Sequence, residues 1–88
     1  MEIEDVLSSK GRLRILRILV EIEELNISEI ARRAGLNYAT TSQHLQALTN
    51  AELVKHKRFG RIRIFRFNDQ TARGRLIKKL IETWETDK

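Results

Sequence analysis

The sequence predicts an α+β fold, mainly α with a small β-hairpin, with about five helices and a two- to three-stranded sheet. Three observations support this. Apolar residues recur with the helical period through most of the 88-residue chain, and the period changes to that of a strand after Ala51. Gly35 separates two short helical segments, and a purely cationic run follows them. Helix, turn, helix and basic hairpin, in this order, predict a winged helix-turn-helix.

Two helices are predicted in the amino-terminal part of the chain. Residues 2–8 carry apolar side chains at helical spacing, and Ser8 or Ser9 is placed to cap a second helix from about Lys10. This second helix is apolar around most of its girth as far as Ile22. A helix of that kind has to be buried on most sides, so we expect it at the centre of the domain.

The helix-turn-helix is predicted over residues 26–51. Asn26 and Glu29 form a capping-box pattern before the first helix of the pair. Gly35 follows that helix, where a left-handed backbone costs little without a Cβ. Asn37 then caps the second helix of the pair.

The second helix of the pair has two distinct sides. At about 100° per residue, Thr41, Leu45 and Leu48 share the side expected to be buried. The opposite side carries small or amide side chains, which are Ala39, Gln43, Gln46 and Asn50. A helix face that is merely solvated more often carries Lys and Glu, whereas glutamine bonds bidentately to adenine in the major groove. We therefore predict that Gln43 and Gln46 read bases and that Ala39, on the same side, also contacts the DNA. Residues near the helix start are predicted to hold phosphates, and these are Tyr38, Thr40 and Ser42.

A basic hairpin, the wing, is predicted over residues 53–67. Two segments with the period of strands flank Phe59-Gly60, where a tight turn belongs. The segment contains six cations and no acid, and the cations are Lys55, Lys57, Arg58, Arg61, Arg63 and Arg66. A charge run is usually a solvated face, but an excess of one sign favours a polyanion. We predict that the wing neutralises phosphates and that Arg61 and Arg63 reach the DNA backbone or a minor groove.

A last helix is predicted over residues 69–86, capped by Asn68 or Asp69. Its apolar side chains fall within about 140° of arc. This stripe either completes the monomer core or forms a dimer seam, and its breadth beside an already apolar second helix favours the seam. The first helix is predicted to contribute to the same seam. The residues predicted for the dimer interface on the two helices are Ile3, Val6, Leu76, Ile77, Leu80, Ile81 and Trp84.

The chemistry-bearing residues do not form the pattern of an enzyme or a metal site. The chain has no cysteine, and His44 and His56 lack thiolates and a paired carboxylate nearby in sequence. We therefore predict no catalytic residue, no cofactor and no metal. His44 is assigned either to a phosphate contact or to packing.

Composition limits the class of protein further. The chain has 17 Lys and Arg against 12 Asp and Glu, a formal charge of +5, and no proline or low-complexity linker, so we expect one domain of residues 1–88. No apolar run approaches the roughly 20 residues that cross a bilayer. The first residues are acidic where a signal peptide is positive, and we expect a cytoplasmic protein without a membrane partner.

The sequence resembles the ArsR-type winged-helix regulators, with a spacing shared by MarR-like relatives. The segments that carry the resemblance are Arg12-Leu13-Arg14-Ile15-Leu16, Ile27-Ser28-Glu29-Ile30-Ala31, Gly35-Leu36, Thr40-Thr41-Ser42-Gln43-His44-Leu45, Leu48, Ala51-Glu52-Leu53-Val54 and Gly60-Arg61. The resemblance implies a homodimer with recognition helices in successive major grooves, wings on the flanking DNA and terminal helices at the interface. It also implies DNA contacts by Tyr38, Ser42 and Gln43. Two positions depart from the family pattern: Thr41 stands where valine is usual, and Glu52 stands where glycine often precedes Leu-Val.

Many such regulators sense metals through cysteines, or through histidine and acidic residues on the terminal helices. The chain has no cysteine, and no histidine from Thr71 onward, so we predict repression without a ligand, or regulation by an effector other than a metal. The predicted function is that of a dimeric, sequence-specific repressor that binds double-stranded DNA. One alternative is a winged-helix protein-interaction module. The other is a non-specific architectural or RNA-binding protein, and the uncharged amide row argues against this second alternative.

Overall fold

The computed structural model describes residues 1–87. In this range the helices are α1 Ile3–Leu7, α2 Lys10–Glu21, α3 Ile27–Ala34, α4 Tyr38–Asn50 and α5 Ala72–Thr86, and the strands are β1 Leu25–Asn26, β2 Val54–Phe59 and β3 Ile62–Phe67. The predicted winged helix-turn-helix, with five helices and a small sheet, is confirmed. No helix of the described range is long and apolar enough to cross a membrane.

Helix α2 lies at the centre of the domain, as its apolar pattern predicts. Ser9 caps it, because the Ser9 hydroxyl accepts a hydrogen bond from the Arg12 N–H at 3.2 Å. Ile15, Leu16 and Leu19 are buried, and α2 contacts α1, α3, α4, α5 and β3. Burial of these side chains is a main source of stability in a chain without disulfides.

The sheet has the order β1-β3-β2, with both pairings antiparallel. The side chain of Phe65, in β3, is buried in the core. Phe59 pairs with Ile62, so the hairpin turn is Gly60–Arg61, one residue later than predicted. Gly60 has φ 61° and occupies the first position of a two-residue turn, where the twist of the flanking strands favours glycine.

Helix α5 begins later than predicted. Its N-cap is Thr71, whose hydroxyl accepts a backbone N–H of the first turn at 3.0 Å. The prediction that Asn68 or Asp69 caps this helix is wrong. The buried Asn68 side chain instead donates to the Glu52 carbonyl oxygen at 2.7 Å and accepts from the Gln70 N–H at 3.0 Å. Asn68 therefore ties the end of β3 to the start of the hairpin.

The residues predicted for the dimer interface divide into two groups. Val6 and Ile81 are 4% and 8% exposed and belong to the core of the single chain, so almost none of their surface is left for a partner. Ile77 packs against the same core. The remaining four are exposed, at 66% for Ile3, 70% for Leu76, 48% for Leu80 and 71% for Trp84. The predicted apolar stripe on α5 thus consists of two rows in which residues are four apart. Ile77 and Ile81 face the core, and Leu76, Leu80 and Trp84 face solvent.

Candidate nucleic-acid interface

Helices α3 and α4 form the helix-turn-helix, and the turn between them begins at Gly35. Gly35 has φ 68° and ψ 33°, the left-handed conformation predicted from its position. The Leu36 N–H donates to the Ala31 carbonyl oxygen at 3.0 Å. The Arg14 guanidinium, from α2, donates to the Ala34 carbonyl oxygen at 3.3 Å. These contacts fasten the end of α3 to α2 and set the direction in which α4 begins.

An asparagine caps each helix of the pair. The Asn26 side-chain oxygen accepts from the Glu29 N–H at 2.9 Å, and that of Asn37 accepts from the Thr40 N–H at 2.7 Å. The other half of the predicted capping box is wrong, because the Glu29 carboxylate accepts from Arg32 at 2.7 Å. The hydrogen bond from Arg32 lowers the pKa of Glu29. Glu29 therefore supports α3 through an ion pair one turn away.

The inner face of α4 consists of Thr41, Leu45 and Leu48, which are all buried as predicted. Thr41 is a polar residue at a core position. Its hydroxyl donates to the Asn37 carbonyl oxygen at 2.8 Å, so the buried group is satisfied. This bond explains how threonine is accommodated where the resemblance leads one to expect valine.

The outer face of α4 carries the predicted base-reading side chains. Gln43 and Gln46 are exposed, as are Tyr38, Ala39 and Asn50, while Thr40 and Ser42 are half-buried. Helix α4 contains no Asp, Glu, Lys or Arg. Because Gln43 and Gln46 are three residues apart, their amides lie on the same side of the helix. The outer face is therefore an uncharged surface with hydrogen-bonding groups.

His44 is half-buried between α4 and the start of α2. Its ring lies so close to Gly11 that a Cβ at residue 11 would be 2.8 Å from His44 Nε2. Burial and, after it, the positive charge of Arg12 lower the pKa of His44 from its ordinary value of 6.5. Of the two roles predicted for His44, this contact corresponds to packing.

The wing presents most of its cations to solvent. Those that are exposed are Lys55, Lys57, Arg58 and Arg61. Arg63 and Arg66 are half-buried. The Arg63 guanidinium lies 5.1 Å from the centroid of the Phe65 ring, and Arg66 Nη1 lies 3.7 Å from the Glu24 carboxylate. Arg63 is therefore directed back along its strand, towards Phe65, and its contact with the DNA backbone or a minor groove stays a prediction.

Two features beside this surface are not among those predicted from the sequence. Phe59 and Ile62 are 60% and 55% exposed at the end of the wing. The sequence signal for them is a pair of apolar residues that flank a turn among arginines. Glu52, between α4 and β2, has φ 61° although it is not glycine. The signal for this strain is the departure from the glycine that the family pattern favours.

Taken together, the helix pair and the wing define a winged helix-turn-helix DNA-binding protein. Helix α4, whose exposed face carries uncharged amides, is in contact with strand β2 of the basic hairpin. Within residues 1–87, no three His, Asp or Glu side chains come together as a group that could hold a metal ion.

Comparisons with known proteins identify the family. The protein-family model described as "Bacterial regulatory protein, arsR family" matches residues 9–56, more than half of the chain. The chain is similar to the homodimeric winged helix-turn-helix DNA-binding domain of Mb0332 from Mycobacterium bovis, a possible ArsR-family transcriptional regulator, with 29% identity over 93% of this chain and 70% of that one and a TM-score of 0.72.

Two further solved structures share the fold. The transcriptional repressor BigR from Xylella fastidiosa is 24% identical over 93% of this chain and 78% of its own, with a TM-score of 0.79. The AntR antimony-specific transcriptional repressor is 23% identical over 93% of this chain and 69% of its own, with a TM-score of 0.78. The chain belongs to the arsR family of bacterial regulatory proteins, and it is a DNA-binding transcriptional regulator.

Proposed function

We propose that the chain acts as a homodimeric repressor of a specific duplex DNA sequence, with α4 in the major groove and the wing on the flanking backbone or minor groove. The observation that carries this proposal is the contact between α4, which has an exposed and uncharged amide row, and β2 of a hairpin that has cations and no acid. Amides distinguish bases and cations neutralise phosphates, so the two parts supply specificity and affinity separately.

In this proposal Gln43 and Gln46 read base edges. A glutamine amide donates and accepts at once, which matches N6 and N7 of adenine. Ala39, on the same exposed side, offers a methyl group of the kind that contacts the thymine methyl. The hydroxyls near the amino end of α4 are assigned to phosphates, and these belong to Tyr38, Thr40 and Ser42.

The wing contains repulsion that a polyanion would relieve. Arg58 lies directly opposite Arg63, and Lys55 lies directly opposite Arg66. Like charges at opposite positions of an antiparallel pair destabilise it. Glu24 offsets the charge of Arg66 from 3.7 Å. Phosphates along the hairpin would reduce the remaining repulsion, so DNA binding should also stabilise the wing.

We place the dimer interface on the outer faces of α1 and α5. Six of the nine large apolar side chains that are exposed within the described range lie on these helices or just before α1, and they are Met1, Ile3, Leu7, Leu76, Leu80 and Trp84. Two largely apolar clefts, of about 280 and 570 Å³, border α5 and offer room for side chains of a second copy. A two-fold dimer through this surface would present two α4 helices to two half-sites. The homodimeric state of Mb0332 supports a dimer of this chain.

A salt titration tests the proposal, using a duplex recovered from a random pool and an unrelated duplex. If roughly six to eight phosphates are neutralised per dimer, log K should fall against log salt with a slope of about −5 to −7. The Gln43→Ala variant should lose about 1–3 kcal/mol of discrimination and keep the slope. A slope near zero would contradict the electrostatic role of the wing. Equal losses on both duplexes would contradict base reading by Gln43.

The same measurements separate this function from the two alternatives. A protein-interaction module would be monomeric and would not bind duplex DNA at low salt. A non-specific architectural protein would have the salt slope without a preferred sequence. Repression itself is tested with a reporter, whose transcription should fall when the recovered sequence overlaps its promoter.

A further inference from the structure

The end of the wing carries an apolar pair that neither the amide row nor the dimer surface uses. Phe59 and Ile62 form the last cross-strand pair before the Gly60–Arg61 turn, and both are more than half exposed. Paired residues point to the same face of an antiparallel ribbon, so the two side chains form one patch. By strand alternation this patch is on the face opposite to the buried Phe65.

The surroundings of the pair indicate what it contacts. Arg58 and Arg61 adjoin it in sequence, and Lys57 lies on the same face two residues back along β2. The strands β2 and β3 contain no acidic residue. The partner therefore has to offer an apolar surface bordered by negative charge. The minor groove of DNA does so, because its walls are sugars and its rims are phosphates.

We propose that Phe59 and Ile62 are an apolar wedge that enters the minor groove beside each half-site and bends the duplex. This inference rests on the proposed DNA-binding function. Apolar wedges at minor-groove contacts partly unstack a base step and kink the helix axis. The energy of that deformation depends on the base step, and it is lowest at pyrimidine–purine steps. The wing thus selects flexible DNA at positions where no side chain reads a base.

The two arginines nearest to the apolar pair on β3 and in the turn, Arg63 and Arg61, differ in position. The Arg63 guanidinium is held over the Phe65 ring, 5.1 Å from its centroid. It therefore lies on the face of the hairpin opposite to the apolar pair. The exposed Arg61, in the turn itself, is the cation that accompanies the wedge. In this arrangement Arg61 binds a phosphate on the rim, while Phe59 and Ile62 contact the groove walls.

The test uses the full chain and the double variant Phe59→Ser/Ile62→Ser, with Lys57→Ser as the matched control on the same face. The probe is a duplex recovered from a random pool by the wild-type protein, remade with TpA steps or with an A-tract beside each half-site. Bending is measured by energy transfer between dyes at the duplex ends, and unstacking by 2-aminopurine fluorescence under the wing.

Wild-type protein should bend the TpA duplex by about 20° or more per wing and raise the 2-aminopurine signal. It should bind that duplex about tenfold more tightly than the A-tract duplex, a preference of about 1.4 kcal/mol. The double variant should lose the bend, the fluorescence change and the preference, and keep the salt slope. Lys57→Ser should keep all three and reduce the slope by about 1 for each wing.

Two outcomes overturn the wedge and leave the proposed function standing. In the first, the double variant retains the bend and the TpA preference. In the second, it alters the oligomeric state alone, which would make the patch a protein contact. If wild-type protein recovers no duplex at all, the proposed function itself fails. Phe59→Leu, which keeps an apolar side chain on the strand, should retain most of the bend and guards against a folding defect in the double variant.

Discussion

Replacing Glu52 with glycine should stabilise the protein. Glu52 has φ 61°, a left-handed backbone that costs a residue with a Cβ roughly 1–2 kcal/mol. The conformation is fixed at both peptide groups, because the Glu52 N–H donates to the Thr49 carbonyl oxygen at 3.0 Å and the Glu52 carbonyl oxygen accepts from Asn68 at 2.7 Å. The strain therefore persists as long as α4 and the wing are connected in this way.

The net gain is smaller than the strain that is removed. Glycine loses about 0.5–1 kcal/mol more conformational freedom on folding than a residue with a side chain. The difference leaves a stabilisation of about 0.5–1 kcal/mol, or a rise in Tm of about 2–8 °C for a domain of this size. Thermal unfolding followed by circular dichroism measures the change.

Glu52→Gln is the matched control for this substitution. It removes the same negative charge from an exposed position but keeps the Cβ, so its Tm should stay close to that of the wild type. An equal rise in Tm for the glutamine and glycine variants would mean that the charge is responsible. An unchanged or lower Tm for Glu52→Gly would refute the argument from backbone strain.

Three further predictions concern the wing, the histidine and the dimer. Arg61→Ala should weaken binding to specific and random duplexes alike and lower the salt slope by about 1 per wing, as measured by gel shift; a loss confined to one sequence would contradict a phosphate contact. Because the pKa of His44 is lowered in the folded protein, the stabilisation that depends on neutral His44 is complete above its ordinary pKa of 6.5 and is lost as pH falls through the lower, folded value. His44→Gln should therefore reduce the decrease of Tm that occurs as pH falls below 6.5. An unchanged decrease of Tm in this variant would mean that other groups cause the decrease. Trp84→Ser/Leu80→Ser should yield a folded monomer in sedimentation, since both side chains are exposed on the outer row of α5, whereas a dimer of unchanged affinity would place the interface elsewhere.

Most features that depend on neighbours in sequence are predictable, with the Glu29 half of the capping box as the exception. The caps at Asn26 and Asn37 and the left-handed Gly35 each involve partners within a few residues, so local patterns identify them. The inward side of α4 follows from the helical period, because a helix of this length presents one face to the core. The amide row on the opposite side could be recognised for the same reason.

The features that depend on distant partners were not predictable in the same way. Asn68 has the residue type of a cap, but its main partner is the Glu52 carbonyl oxygen, 16 residues away, which local patterns do not reveal. The short strand β1, Leu25–Asn26, is too brief to have a period of its own. The two rows on α5 occupy one apolar arc, and only the packing of Ile81 against the core separates them. The stacking of Arg63 on Phe65 likewise depends on a rotamer choice that sequence spacing does not specify.

The central claim is that a dimer reads a specific duplex sequence with two α4 helices. Selecting bound duplexes from a random pool with the full chain tests this most directly. We expect an inverted repeat whose half-sites lie about one helical turn, 10 to 10.5 base pairs, apart. Selection with Gln43→Ala should recover the same spacing with relaxed preference inside each half-site. A pool without a consensus, or with a single unrepeated motif, would contradict the account.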